Sequence, residues 1–244
     1  MRVLFHAMHV RHLYVFAMAM LLLAALPVAI AFGRAERLER RLSGWTVAID
    51  AGHGGADKGA WFPQSGLVEK EINLTVAKTL AQQLEGEGFI ALLIRTDDIH
   101  IELGERASKA NTSRADIFVS IHVNRFPQDS RCRGAQTFYQ SGSAAGRLLA
   151  VLVQQELRTI DPTNKREAIA ADYKVLRESD MPGILVEIGF ATNPRDRQLI
   201  MDPEYRTAIA TAIRRGLVRY SQSRVGSRLS RKGRRASASS TGRV

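Results

Sequence analysis

Apolar residues recur along this chain with two different periods. Short runs rich in Val, Ile, Leu and aromatics occupy residues 45–49, 89–95, 116–122, 135–140, 173–177 and 184–188. Runs of that length and composition, bounded by turn residues, read as buried strands. Between them the spacing lengthens. In 69–84, Ile72, Val76, Leu80 and Leu84 recur every fourth position and set one apolar stripe along a helix. Residues 103–113, 143–160 and 193–220 carry the same helical pattern. The last should break at Asp202-Pro203, an N-cap residue followed by proline at the first helical position. Strands alternating with helices of ten or more residues predict a single α/β domain over 44–221. Its core would be a mostly parallel, twisted sheet of about six strands with helices on both faces. Ligands of such sheets sit beyond the carboxyl ends of the strands.

The two ends depart from this pattern. Residues 13–32, LYVFAMAMLLLAALPVAIAF, hold twenty positions without a charge, after a segment 1–12 that carries Arg2 and Arg11. That length suffices for a transmembrane helix. Ala29-Ile30-Ala31 has the small-residue form of a signal-peptide cleavage site, but the run exceeds a usual secretory core, so an uncleaved anchor is expected. Either way the remainder is exported. Arg34, Arg37, Arg40 and Arg41 follow the run, so charge asymmetry does not set its orientation. Residues 33–43 read as a solvated linker. Residues 222–244 contain seven basic residues and no acid, the largest local share of a formal net charge of +11. With so little apolar surface to bury, this tail is expected to be disordered. It suits an anionic wall polymer or lipid headgroups, or serves only to keep the chain soluble. Nucleic acid is not expected, because no recognition motif accompanies the charge. Cys132 is the only cysteine, which excludes a disulfide framework and a thiolate zinc site. It lies in a basic loop with no nearby histidine and reads as a bystander.

Ligand-type residues gather where the sheet would place a site. His53 stands in IDAGHGG, just past the first strand, and His122 closes the strand DIFVSIHVN. Glu69 and Glu71 open the first long helix, shortly after the His53 loop. Glu187 lies among Ile184, Leu185, Val186, Ile188 and Phe190. A carboxylate in so apolar a strand is costly unless it is paired, protonated or near a cation. A zinc ion accounts for all of these at once. Catalytic zinc takes three protein ligands, commonly His and Glu, and keeps a fourth position open. Two histidines and one of the helix-opening glutamates complete such a set, and Glu187 is then free as a base. Gly52, Gly54 and Gly55 would let the backbone turn sharply and bring the His53 imidazole over the sheet end. Asp50 could orient a histidine or stabilise the turn. Arg95 could hold a substrate carboxylate, but an ion pair with Asp97 or Asp98 is the stronger expectation.

The segments VAIDAGHGG, GLVEKEINL, VSIHVN and MPGILVEIGFATNP, in this order, resemble the zinc-dependent N-acetylmuramoyl-L-alanine amidases of the amidase-3 type. The resemblance covers residues 45–220. It implies zinc ligands at His53, Glu69 and His122 and a catalytic glutamate at Glu187, and it separates Glu69 from Glu71. It further implies hydrolysis, on peptidoglycan, of the amide between the lactyl group of N-acetylmuramic acid and L-alanine of the stem peptide. Ala51 stands where the family usually has proline. RGAQTFYQ, ELRTIDPTNKREA and YKVLRESDMPGILVEIGF look most like the germination-specific branch, which acts in the spore cortex in making muramic-δ-lactam. That branch implies a place on the outer face of the cytoplasmic membrane, in the cell wall or in the spore intermembrane space. Some relatives carry a long inhibitory helix after the second histidine's strand. Residues 125–136 leave no room for one, so control would fall to an activating protein partner or to expression. Three rival readings are a peptidoglycan-binding module without metal, a zinc carboxypeptidase acting further along the stem, and a membrane scaffold that recruits partners through its tail. The complete set of two histidines and two glutamates argues against the first.

Overall fold

The computed structural model describes residues 44–223. The segments expected at 1–12, 13–32 and 33–43, and all but the first two residues of the expected tail, lie outside the described residues. No helix among the described residues is long and apolar enough to cross a membrane.

Strands β1 (Thr46–Ala51), β4 (Ile90–Leu93), β5 (Ile117–Asn124), β6 (Gln136–Tyr139), β7 (Ile169–Ala170) and β8 (Gly183–Phe190) form one sheet in the order β4-β1-β5-β8-β6-β7. All neighbours run parallel except β6 and β8, which are antiparallel. The two central strands are the most apolar, as burial on both faces requires. Every residue of β8 is buried.

Helices cover both faces. On one face α6 (Pro203–Gln222) packs against both α1 (Glu69–Glu85) and α3 (Ala144–Ile160). Gly216 permits the α3–α6 contact, since a Cβ there would sit 2.6 Å from Val153 Cγ2. On the opposite face α2 (Leu103–Thr112) and α4 (Lys174–Arg177) bury Ala110, Val175 and Leu176 against Ala48, Phe118 and Leu185. Helix α5 (Pro194–Met201) is separated from α6 by Asp202, whose side chain caps α6 by accepting from the Glu204 amide. The break at Asp202-Pro203 is therefore as the sequence predicts.

Two local expectations are corrected. Residues 173–177 form a helical turn, α4, and not a strand. Val175 and Leu176 are both buried, and adjacent residues share a face on a helix but not on a pleated strand. The sixth strand is instead β7, two exposed residues at the sheet edge. A small antiparallel hairpin of β2 (Trp61–Phe62) and β3 (Leu67–Val68) was not legible in the pattern, because two-residue strands are too short to show a period. Helix α6 also runs to Gln222, one residue into the expected tail.

The register sets up the site. Asp50 lies opposite Ser120, and His122 opposite Glu187, which in turn faces Gln136 across β6. Side chains alternate along a strand. The face that is apolar at Ala48, Phe118 and Leu185 thus becomes polar at Asp50, Ser120, His122 and Glu187, towards the carboxyl ends of the parallel strands.

Candidate metal and hydrolytic site

Three potential ligand groups converge at that carboxyl end. One ligand atom each from His53, Glu69 and His122 lie within 4.8 Å of one another. Glu69 is the hub. Its Oε1 is 3.1 Å from His53 Nε2 and 3.2 Å from His122 Nδ1. The same oxygen accepts the Val123 amide at 2.9 Å and Asn73 Nδ2 at 3.3 Å, and Oε2 accepts the Ala60 amide at 2.7 Å. Glu69 is the first residue of α1 and buried, whereas Glu71 is exposed.

His53 adopts a left-handed backbone conformation, φ 62°, which costs a non-glycine residue about 1–3 kcal/mol and persists only where the surroundings enforce it. Two buried arginines supply the enforcement. Arg95 donates to the carbonyls of Ala51 and Gly52 (2.8 and 3.1 Å), and also to those of Lys70 and Asp97. Arg106 donates to the carbonyls of Ala51 (2.8 Å), His53 (2.9 Å) and Ile101. Lys70 Nζ reaches the Gly55 carbonyl at 2.7 Å and Asp98 at 2.6 Å. The loop's carbonyls thus end on fixed positive charge. Gly52 answers a second need, because a Cβ there would lie 2.1 Å from His122 Cε1. The imidazole of His122 occupies the space that any side chain at 52 would fill.

Arg95 therefore neither faces a substrate nor pairs directly with the carboxylates of Asp97 or Asp98; it serves the backbone. Asp50 does not orient a histidine. It accepts from Arg106 Nη1 at 2.7 Å and from Ser120 Oγ at 2.6 Å. Asp57 takes the orienting place, 2.7 Å from His53 Nδ1, in the manner of a carboxylate behind a metal-binding imidazole. Asp57, Asn73 and Arg106 were not singled out by sequence. A signal existed for two of them: Arg106 lies on the buried stripe of α2 with Ala110, and Asn73 on that of α1 with Val76 and Ala77. A polar group on an apolar stripe asks for a partner.

The electrostatics fit a cation. Burial disfavours an imidazolium at His53, yet the hydrogen bonds and charges of Glu69 and then Asp57 overcome it and raise the pKa to about 9. His122 is likewise raised, its burial outweighed by Glu69. Burial opposes ionisation of Glu69, but its bonds to His122 and His53 hold its pKa well below the carboxylate range. Two imidazoles that hold protons around one buried carboxylate, for want of other positive charge, are a donor set of the kind a divalent metal occupies. Glu187 is buried, and its Oε2 has no hydrogen-bond partner. Burial raises its pKa to about 7 against the pull of the His122 charge. An ionisable oxygen without a partner, one strand from the cluster, is placed to take or give a proton.

Known proteins show the same architecture. The chain is similar to the uncharacterized protein YqiI of Bacillus subtilis, 37% identical over 200 residues that cover 81% of this chain and 95% of that one. It is similar to the germination-specific N-acetylmuramoyl-L-alanine amidase of B. subtilis, 30% identical over 194 residues, 73% of this chain and 81% of the relative. Its fold matches the CwlD amidase of Clostridioides difficile, solved in complex with the GerS lipoprotein. The TM-score there is 0.70 and the identity 34%, over 72% of this chain and 98% of that one. Residues 47–219 match the family described as N-acetylmuramoyl-L-alanine amidase, and the chain belongs to that family of peptidoglycan hydrolases.

Proposed function

We propose that this amidase is zinc-dependent, with His53, Glu69 and His122 as ligands and Glu187 as general base, cleaving between the lactyl group of N-acetylmuramic acid and L-alanine. The observation that carries the reading is the convergence of the three ligand groups within 4.8 Å, one strand from a buried glutamate with an unpartnered oxygen. Zinc held there would supply Lewis acidity to the scissile carbonyl and to the attacking water. Glu187 accepts a proton from that water and returns it to the departing amine. Its pKa of about 7 suits a group that must hold and release a proton near neutrality, and a dication nearby favours the carboxylate needed for the first step. Asp57 fixes the His53 ring through Nδ1, and Gly52 leaves His122 its room.

The biological setting is part of the same proposal. Residues 13–32 would tether the domain to the outer face of the cytoplasmic membrane, or release it to the cell wall or spore intermembrane space after cleavage. The similarity to a germination-specific amidase supports a role in spore cortex maturation, through muramic-δ-lactam formation. The complex of the CwlD amidase with a lipoprotein supports an extracytoplasmic protein partner here as well.

The test uses the full chain with zinc, its chelated form and the Glu187→Gln variant, each incubated with purified peptidoglycan, with products identified by mass. Stem peptides that begin with alanine are expected from the zinc-loaded wild type only. Glu187→Gln should keep its zinc and lose on the order of 10²–10⁴ in rate. Full turnover by that variant would refute the base, undiminished turnover by the chelated protein would refute the metal, and cleavage elsewhere in the stem would point to a carboxypeptidase.

A further inference from the structure

Beside the catalytic end of the sheet, the loops 131–133 and 163–166 enclose a basic hollow of about 340 Å³. Two of its four cations are already neutralised. Arg131 pairs with Asp129 at 2.9 Å, and Arg133 with Asp161 at 3.5 Å. Lys165 and Arg166 have no ion pair among the described residues, and Lys165 Nζ reaches only the Pro162 carbonyl.

Arg166 is held in a way an idle surface arginine is not. Its Nε donates to the Arg133 carbonyl at 2.6 Å and its Nη1 to Gln136 Oε1 at 2.8 Å. Its guanidinium lies over the Phe190 ring, 4.4 Å from the centroid. Gln136 is itself fixed, with Nε2 on the Glu167 carbonyl at 3.0 Å. The backbone of Arg166 is bonded at both ends: its amide to Asn164 Oδ1, its carbonyl to Arg158 Nε. These contacts orient the fork and leave Nη2 without a bond to any described residue. A guanidinium immobilised in this way loses little further entropy on binding, and its planar edge matches a carboxylate.

Its position gives the ligand. Gln136 is the register partner of Glu187 across β6 and β8, so one strand spacing, about 4.8 Å, separates them. The Gln136 side chain and one hydrogen bond add the rest of the distance to Arg166. An extended peptide advances about 3.3–3.6 Å per residue. The free edge of Arg166 therefore lies within the span of the first few residues of a peptide whose scissile bond is at Glu187. We propose that Arg166, with Lys165 beside it, binds the free carboxylate of the second stem residue, counted from the bond cut, and makes the enzyme selective for acidic over amidated stems. This rests on the amidase reading of the site.

The test compares two synthetic N-acetylmuramoyl tripeptides that differ only in the second residue, which bears either a free side-branch carboxylate or its carboxamide. The full zinc-loaded chain is assayed with wild-type sequence, Arg166→Gln and Arg166→Lys. The wild type should prefer the carboxylate about 10- to 100-fold in kcat/KM, the range for one charge-assisted pair, with most of the difference in KM. Arg166→Gln should treat the two substrates alike, and Arg166→Lys should restore part of the preference. Equal treatment by the wild type, or an undiminished preference in Arg166→Gln, would overturn the proposal. Should Arg166→Gln not fold, the wild-type ratio and Arg166→Lys decide. Cleavage of purified peptidoglycan with hydrolysis of neither short substrate would overturn this inference alone, and cleavage of none of the three would tell against the amidase reading on which it rests.

Discussion

Exchanging Arg106 for methionine would leave Asp50 fully buried with Ser120 as its only hydrogen-bonding partner. It would also release the carbonyls of Ala51, His53 and Ile101. Removing one partner of a buried ion pair costs about 3–5 kcal/mol, because the other charge stays desolvated and unpaired. Asp50→Asn should cost less, about 1–2 kcal/mol. In that variant the Arg106 charge keeps three carbonyls, and the new amide can still accept from Nη1. Combining the two removes the stranded carboxylate, so the double variant should be more stable than the sum of the single losses by at least about 1 kcal/mol, as contacting residues couple. Urea unfolding of the metal-free proteins, at constant m-value, measures the cycle. Arg106→Met should also lower the melting temperature by roughly 6–20 °C for a domain of this size. Additivity within about 0.5 kcal/mol, or equal costs for the two single changes, would refute the assignment of Arg106 as the charge that makes Asp50 tolerable.

Three further outcomes follow from the site. Gly52→Ala should leave the protein folded but deprive it of metal, since the new Cβ would displace the His122 ring; a variant with full zinc content by elemental analysis would count against the steric argument. Asp57→Asn should weaken zinc binding about 10- to 100-fold in a chelator competition, and an unchanged affinity would show that the Nδ1 contact is incidental. In metal-free protein the His53 pKa is raised from 6.5 to about 9, so the folded state binds that proton more tightly than the unfolded chain. The stability it contributes is complete below pH 6.5 and lost as pH rises towards 9. Thermal unfolding of the apo protein across that window should fall with pH, and His53→Gln should flatten the slope.

The alternation of strands and helices was legible because periods of two and four are imprinted over many residues. Elements too short to carry a period were not: β2, β3 and β7 have two residues each, and the turn at 174–177 shares its composition with a strand. The histidines and Glu187 stood out because glycines, or an apolar strand, made poor company for them. Arg95 stood out but for the wrong partner, and Arg106 did not stand out, since nothing in a sequence says that an arginine's fork will close on backbone carbonyls some fifty residues away. That contact exists only once β1, β4 and α2 have met. Asp57 was hidden for a simpler reason: an aspartate in a glycine-rich loop is ordinary turn chemistry.

The place of β8 in the sheet constrains how the molecule is assembled. It is the last strand among the described residues, yet it lies between β5 and β6, made dozens of residues earlier. Before it arrives, β5 has a bare edge, and β6 with β7 is cut off from the other strands. Contacts this distant in sequence close slowly, and exposed strand edges invite pairing with other chains. The insertion that completes the sheet also carries in Glu187. On the role proposed for Glu187, a nascent or trapped chain that has gathered His53, Glu69 and His122 would still lack the fourth member of the set, and the ability to cut the wall would arise together with the finished fold.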